Sequence, residues 1–170
     1  MSKEEKLVEY LHQYVEHIGG PAVWNDVLDE YGKASVETPK DMIRLLRICA
    51  SLLSREYQFF LFTFGKWYVT IGDPMHFKSY LSPHKTFEEF MLSKDAPKVI
   101  KDNLPWHEED SIQVRADGSG HFTIYYRSGL RLFSLVKGIY AGLAELMGIT
   151  VLVRHRAKGA HLTLIDIIVG

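Results

Sequence analysis

The segment 125–131, with the sequence YYRSGLR, places a tyrosine, a serine and an arginine close together where a strand gives way to a helix. Phenol and hydroxyl groups donate hydrogen bonds, and a guanidinium group binds a carboxylate or phosphate through two parallel bonds. Tyr126, Ser128 and Arg131 could therefore hold an anion. They could equally end a strand and open a helix, and the pattern alone leaves both interpretations open.

Eight histidines and one cysteine are the other groups that could bind a metal or take part in catalysis. Zinc sites use closely spaced ligands, and these histidines are scattered along the chain. We therefore expect solvated or packing histidines, including a solvated loop at 107–110, HEED. Cys49 lies in an apolar segment, which predicts a buried structural thiol. Since no nucleophile, acid and base share a motif, the sequence predicts a protein that is not an enzyme.

Composition limits the class of protein further. The 170 residues are 46 % hydrophobic and carry a net charge of -1, which suits one domain with a sizeable core. So small a charge predicts no general attraction to nucleic acid. No apolar run approaches the ~20 residues of a membrane span, and the charged start SKEEKLVEY is unlike a signal peptide. We therefore expect a cytoplasmic protein without a membrane span.

The first part of the chain reads as helical. Apolar residues recur at steps of three and four along 3–18, as in an amphipathic helix, and a strongly apolar helix is expected from Asp41 to Leu53. Thr86 is expected to cap a further helix, with Glu89 completing a capping box. The segment 58–69, QFFLFTFGKWYV, is compatible with a strand or a buried helix. Its aromatic residues could fill the core or line a pocket for a flat or fatty ligand.

The last third of the chain alternates polar and apolar residues and predicts strands. A hairpin turn at 116–120 joins the first two strands, a long helix follows over 130–147, and two more strands end the chain. Gly138 and Gly142 in that helix suit close packing on the sheet. The fold class is therefore α+β, with about six to seven helices followed by a β-β-α-β-β half and a four-stranded antiparallel sheet.

We expect one domain over 1–170, in which a helical subdomain, 1–105, faces a sheet subdomain, 106–170. A cleft between two such halves is a natural place for a ligand.

In the order and spacing of its segments, the chain resembles the H-NOX family of haem-nitric oxide/oxygen-binding sensors. The opening VEYLHQYVEHIGGPAVWNDVLDEYG, the helix FFLFTFGKWYV, the helix TFEEFMLSKDAPKVI and the stretch GHFTIYYRSGLRLFSLVKGIYAGLAELMG carry the resemblance. It implies that 58–69 is helical. It also implies haem between the two halves, held by a histidine and by a Tyr-x-Ser-x-Arg motif at the propionates, and a partner that is a cyclase, a histidine kinase or a c-di-GMP enzyme.

The chain departs from the family pattern at two positions. Lys98 stands where the family has its haem-ligating histidine, directly after Pro97, which breaks or restarts a helix. A lysine binds iron only as the neutral amine, and neutralising it at pH 7 costs about 4.6 kcal/mol. At the propionate motif, Tyr126 and Ser128 match, but Leu130 occupies the arginine position.

These departures predict a non-enzymatic sensory or regulatory domain without histidine-ligated haem, acting through a signalling protein. An apolar or carboxylate ligand could occupy the old pocket, with Lys98, Tyr126, Ser128 and Arg131 as its polar residues. One alternative is a haem-based NO/O2 sensor whose axial ligand is Lys98, His84 or His76, so that haem stays a candidate cofactor by resemblance alone. The second alternative is a structural protein-interaction domain with a filled pocket.

Overall fold

The computed structural model describes residues 1–170, apart from the side chain of residue 109. Seven α-helices precede the first strand, and an eighth lies between two hairpins. In chain order the elements are α1 (Lys3–Gly19), α2 (Pro21–Tyr31), α3 (Pro39–Leu52), α4 (Tyr57–Trp67), α5 (Pro74–Leu81), α6 (Phe87–Met91), α7 (Asp95–Asn103), β1 (Ile112–Ala116), β2 (His121–Arg127), α8 (Phe133–Leu146), β3 (Val151–Ala157) and β4 (Leu162–Val169).

The helix starts follow from their capping residues. At α3, the Thr38 side chain accepts from the Asp41 amide and the Asp41 carboxylate accepts from the Thr38 amide, which is a complete capping box. At α6, Thr86 caps the helix as predicted by accepting from the Glu89 amide at 3.1 Å. The prediction of a complete capping box is wrong. The Glu89 carboxylate accepts from the Lys85 amide and not from the Thr86 amide.

The aromatic-rich segment 58–69 is helical, as the family resemblance implied. α4 runs on into a π-helical turn, Tyr68–Gly72. Phe60, Phe64 and Tyr68 are four residues apart, fully buried, and stack in sequence along one face. Phe59, on another face, is 55 % exposed. The segment 58–69 therefore has the composition of a strand but forms a helix with one fully buried face.

The four strands form one antiparallel sheet in the order β1-β2-β4-β3. The predicted hairpin turn joins β1 to β2, with Gly118 at φ 93° and Gly120 at φ 69°. Both values lie in the left-handed region that glycine tolerates. β2 is a central strand, and Tyr126 on it lies opposite Ile112 of β1 and Thr163 of β4.

The long helix α8 begins at Phe133, three residues after the predicted start. The delay has a local cause, because Ser128 Oγ accepts from the Leu130 amide and Arg131 adopts a left-handed φ of 57°. The predicted packing of Gly138 on the sheet is wrong. A Cβ at this position would lie 2.2 Å from the Phe62 carbonyl oxygen, so the close approach is to α4.

One apolar cluster spans the helical and sheet parts of the chain. It includes Leu11 of α1, Phe64 of α4, Phe122 of β2 and Leu135 of α8, all fully buried. Cys49 is buried in the same cluster, as predicted. Burial raises the pKa of its thiol to about 12, so this cysteine is a packing residue.

Candidate functional site

Tyr126 lies inside the molecule at the end of β2 and bonds to a histidine. It is 1 % exposed, and its hydroxyl lies 2.7 Å from His107 Nε2. His107 Nδ1 lies 2.9 Å from the Pro105 carbonyl oxygen, which can only accept. Nδ1 therefore carries the proton of the neutral ring, and the Tyr126 hydroxyl donates to Nε2. The rings also stack, with centroids 5.5 Å apart.

Burial keeps both members of this pair neutral. It lowers the pKa of His107 and raises the pKa of Tyr126 to about 12. The expectation of a solvated loop at 107–110 is therefore wrong for His107, although Glu108 and Asp110 are exposed. The side chain of residue 109 lies outside the described part of the chain. The apolar Leu-Pro-Trp just before His107 is the one sequence signal for its burial.

Arg131 turns away from this interior pair, whereas the Ser128 hydroxyl lies close enough to the Tyr126 hydroxyl to oppose the rise in the pKa of Tyr126. Ser128 Oγ accepts from the Leu130 amide at 3.1 Å, and the Ser128 amide donates to the His161 carbonyl oxygen. Arg131 is exposed, with its guanidinium carbon 6.0 Å from the centroid of the Phe133 ring. Tyr126 is enclosed and Arg131 faces solvent, so the structure does not gather the three side chains around one point. As ligand-binding residues they stay predictions.

Lys98 lies on the exposed side of α7. Its side chain is 54 % exposed, and Nζ lies 2.7 Å from the Asp102 carboxylate one turn later. The hydrogen bond with Asp102 raises the pKa of Lys98. Iron ligation needs the neutral amine, so this environment favours the wrong protonation state.

The interior side of α7 is apolar except for Asn103, and a hydrogen bond joins this helix directly to α8. Tyr140 of α8 is fully buried and donates to the Ala96 carbonyl oxygen at 2.6 Å. The buried residues of this helix are Ala96, Val99, Ile100 and Asn103.

The two histidines considered as alternative iron ligands both have partners. His76 Nε2 donates to the Asn103 side-chain oxygen at 2.8 Å, and His84 Nε2 lies 2.7 Å from the Asp95 carboxylate. Within the described residues, no group of three or more histidine, cysteine, aspartate or glutamate side chains could hold a metal ion.

Taken together, these residues do not fit a haem whose iron ligand comes from α7. Lys98, which the resemblance aligns with the family's ligand position, is solvent-facing and paired, and the buried face of α7 carries no imidazole or amine among the described residues. The direct bond between Tyr140 and Ala96 also ties α8 to α7, the helix that resembles the ligand helix of the family.

Among the described helices, none is long and apolar enough to cross a membrane.

Solved structures of low sequence identity share this fold. An H-NOX protein from S. oneidensis, in its Fe(II)NO ligation state, superposes with a TM-score of 0.78 at 15 % identity, over 100 % of this chain and 99 % of that one. A mutant H-NOX protein from K. algicida, unliganded in the Fe(II) state, gives 0.78 at 12 % identity, over 100 % and 97 %. A mutant H-NOX from T. tengcongensis gives 0.75 at 10 % identity, over 99 % and 97 %.

The family comparison covers most of the chain. No curated protein matches it. The family model described as Haem-NO-binding matches residues 6–155, which include α1 from its fourth residue, all the later helices, β1, β2 and most of β3. The chain therefore belongs to the haem-NO-binding, or H-NOX, family.

Proposed function

We propose that this protein is a non-enzymatic sensory or regulatory domain that signals through a protein partner and does not carry histidine-ligated haem. Domains of its family are sensory rather than catalytic. The observation that supports the proposal is that Lys98, which the resemblance aligns with the ligand histidine, faces solvent and pairs with Asp102. Its raised pKa makes iron ligation less favourable still.

The partner proposed from the family is a cyclase, a histidine kinase or a c-di-GMP enzyme, and the location proposed from the sequence is the cytoplasm. Residues 1–170 are proposed to act as a single domain. An apolar or carboxylate ligand bound inside would have to displace the Tyr126–His107 bond or open the contact between Tyr140 and Ala96. Ligand binding would then move α7 and α8, two elements through which a signal could reach the surface.

A second candidate function is a protein-interaction domain with a filled interior. It is favoured by the enclosure of Tyr126 and Tyr140, which are both large and fully buried. A tightly bound apolar molecule that co-purifies with the protein would contradict this candidate and favour the sensory one.

Absorption spectroscopy with added haem tests the main proposal. We expect no sharp Soret band when the purified protein is mixed with equimolar haem, whereas the S. oneidensis H-NOX protein, run in parallel, gives one. A sharp band that is lost in Lys98→Ala would overturn the proposal and make the domain a haem sensor with a lysine ligand. A band that survives in Lys98→Ala but is lost in His84→Ala or His76→Ala would overturn it in favour of a histidine ligand from α5 or the segment after it.

A further inference from the structure

A cleft on the outside of the helical part is lined by the exposed side of α3, the first turn of α4 and the loop between β2 and α8. Its volume is about 870 Å³. Small-molecule sites commonly have volumes of about 300–1,000 Å³. The cleft is distinct from the interior pocket predicted from the family, since Tyr126 does not line it and Arg131 alone of the predicted residues does.

The cleft concentrates positive charge on a chain that is nearly neutral. Lys40, Arg44 and Arg47 follow one another at steps of four and three, so they form one stripe along α3. Arg131 completes the lining from the β2–α8 loop. Glu30 is the one acidic residue among the described lining residues, which leaves three positive charges in excess, four against one.

The cationic groups are positioned but not neutralised. Arg47 lies over the Tyr57 ring, 4.2 Å from its centroid. Arg44 donates to the Tyr31 carbonyl oxygen at the end of α2, which leaves other N–H groups of its guanidinium available. Among the ion pairs of the described residues, none involves Lys40, Arg44, Arg47 or Arg131.

Two buried polar atoms of the lining residues lack partners. Among the described side chains, four buried polar atoms make no hydrogen bond, and two of these are Tyr57 Oη and Gln58 Oε1. Both residues line the cleft. Buried polar groups in folded proteins are nearly always bonded. Solvent does not reach either of these atoms, so a ligand in the cleft would bond to them only after the Tyr57 or Gln58 side chain rotates. The hydroxyl can donate, and the amide oxygen requires a donor.

These groups define the chemistry of a ligand. Arginines bind phosphate through paired N–H groups, and among the described residues no ion pair occupies the cationic residues of the lining. The apolar residues of the lining, which include Ile43, Ile48 and Leu130, suit a flat ring. We propose that the cleft binds a small phosphorylated ligand with a planar ring, that is, a ligand of the nucleotide class.

Titration calorimetry with adenosine 5′-monophosphate as the probe tests this proposal, with adenosine and inorganic phosphate in separate runs. We expect one molecule to bind per chain, and binding at least tenfold weaker for either part alone. Arg47→Ala should weaken binding at least tenfold. Arg131→Gly should do the same, and glycine accepts the left-handed backbone at this position without strain.

Arg115→Ala is the matched control. Arg115 is also exposed and also lies over a tyrosine ring, 4.7 Å from the Tyr125 centroid, but it lies outside the cleft. We expect its affinity for the probe to equal that of the wild type. Equal losses in Arg115→Ala and Arg47→Ala would overturn the proposal, because they would indicate general charge attraction.

Other outcomes of the same experiment also overturn the proposal. These are no binding of the mononucleotide and inorganic phosphate binding as tightly as the mononucleotide. Two further titrations, with an acidic peptide and with single-stranded RNA, would overturn it if either binds more tightly than the mononucleotide and loses this affinity in Arg47→Ala. The proposal does not depend on the absence of haem, since calorimetry reports on the cleft and the Soret band reports on the interior.

Discussion

At the level of single residues, the interior is organised by a neutral hydrogen-bonded pair rather than by an exposed anion clamp. Tyr126 donates to His107, and His107 in turn donates to the Pro105 carbonyl oxygen. The Tyr126 hydroxyl that matches the family motif is therefore already engaged. Any group that enters the interior must compete with this bond, which gives the pair a measurable effect on stability.

The lowered pKa of His107 predicts a stability that falls in mild acid. In the unfolded chain the imidazole has its ordinary pKa near 6.5, while burial lowers it in the folded protein. Below pH 6.5 the unfolded chain takes up a proton that the folded protein does not, so the free energy of unfolding falls with pH until the folded pKa is reached. Above pH 6.5 the residue contributes no pH dependence. Urea unfolding at pH 7.5 and 5.5 measures the difference.

His107→Gln isolates the contribution of this residue. Glutamine retains a donor and an acceptor but does not titrate. We expect the loss of stability between pH 7.5 and 5.5 to be smaller in the variant by up to about 1.4 kcal/mol, the free energy of one pKa unit. His155, whose pKa is also lowered, is present in both proteins and cancels. Identical pH dependence in the two proteins would show that His107 titrates normally in the fold.

At the level of elements, the contact between α4 and α8 depends on glycine. Gly138 lies so close to the Phe62 carbonyl oxygen that an added Cβ would be 2.2 Å from it, and a Cβ on Gly65 would be 2.5 Å from the Leu135 carbonyl oxygen. Backbone atoms cannot rotate aside as side chains do. The two helices can therefore approach this closely only where both lack a side chain.

Gly138→Ala should destabilise the protein. In an ordinary helix this change stabilises by roughly 0.5–1 kcal/mol, but overpacking a close contact costs about 1–3 kcal/mol. We expect a net loss near 1–2 kcal/mol in the free energy of unfolding, measured with urea. The sign of the change in the free energy of unfolding decides the test, because a stabilised variant would mean that α4 and α8 are not in contact at Gly138.

Gly19→Ala is the matched control for that change. Gly19 ends α1, and the three atoms nearest to an added Cβ belong to the side chains of Leu53, at 2.7 Å, and Val23, at 2.8 and 3.3 Å. Side chains can shift where a carbonyl group cannot, so the loss should be clearly smaller than in Gly138→Ala. Equal losses would point to a general cost of alanine at the helical glycines.

The sequence predicted the presence of these helices better than it predicted their packing partners and their exact bounds. The spacing of Gly138 and Gly142 predicted a close approach, but only the fold shows that α4, not the sheet, is the partner. The segment 58–69 resisted assignment by periodicity, because π-helical turns and aromatic residues on several faces blur the pattern. The start of α8 was predicted too early, since the left-handed Arg131 has no signature in the sequence.

At the level of the whole molecule, the order of segments was the strongest predictor. It indicated the family and the antiparallel sheet, which the family model and the solved structures confirm. The arrangement of the candidate site residues was harder to predict from the sequence, because it depends on the direction in which each side chain points. The residue after Pro97 could be aligned with the ligand histidine, but its exposure depends on how α7 restarts after α6.

The proposal of one domain over 1–170 predicts a single cooperative unfolding transition. The apolar cluster joins both parts, the Tyr140 bond ties α8 to α7, and α8 packs on α4 at backbone distance. Neither part can open without exposing the buried surface of the other, which favours two-state behaviour.

Hydrogen exchange at increasing urea concentrations, measured by mass spectrometry on peptides from α4 and from β4, should give the same free energy of opening and the same urea dependence for both peptides. Peptides from the exposed turn 158–161 should exchange without this transition and serve as the internal reference for local opening. A β4 peptide that opens at lower urea than α4 would instead indicate that 106–170 unfolds as a separate unit.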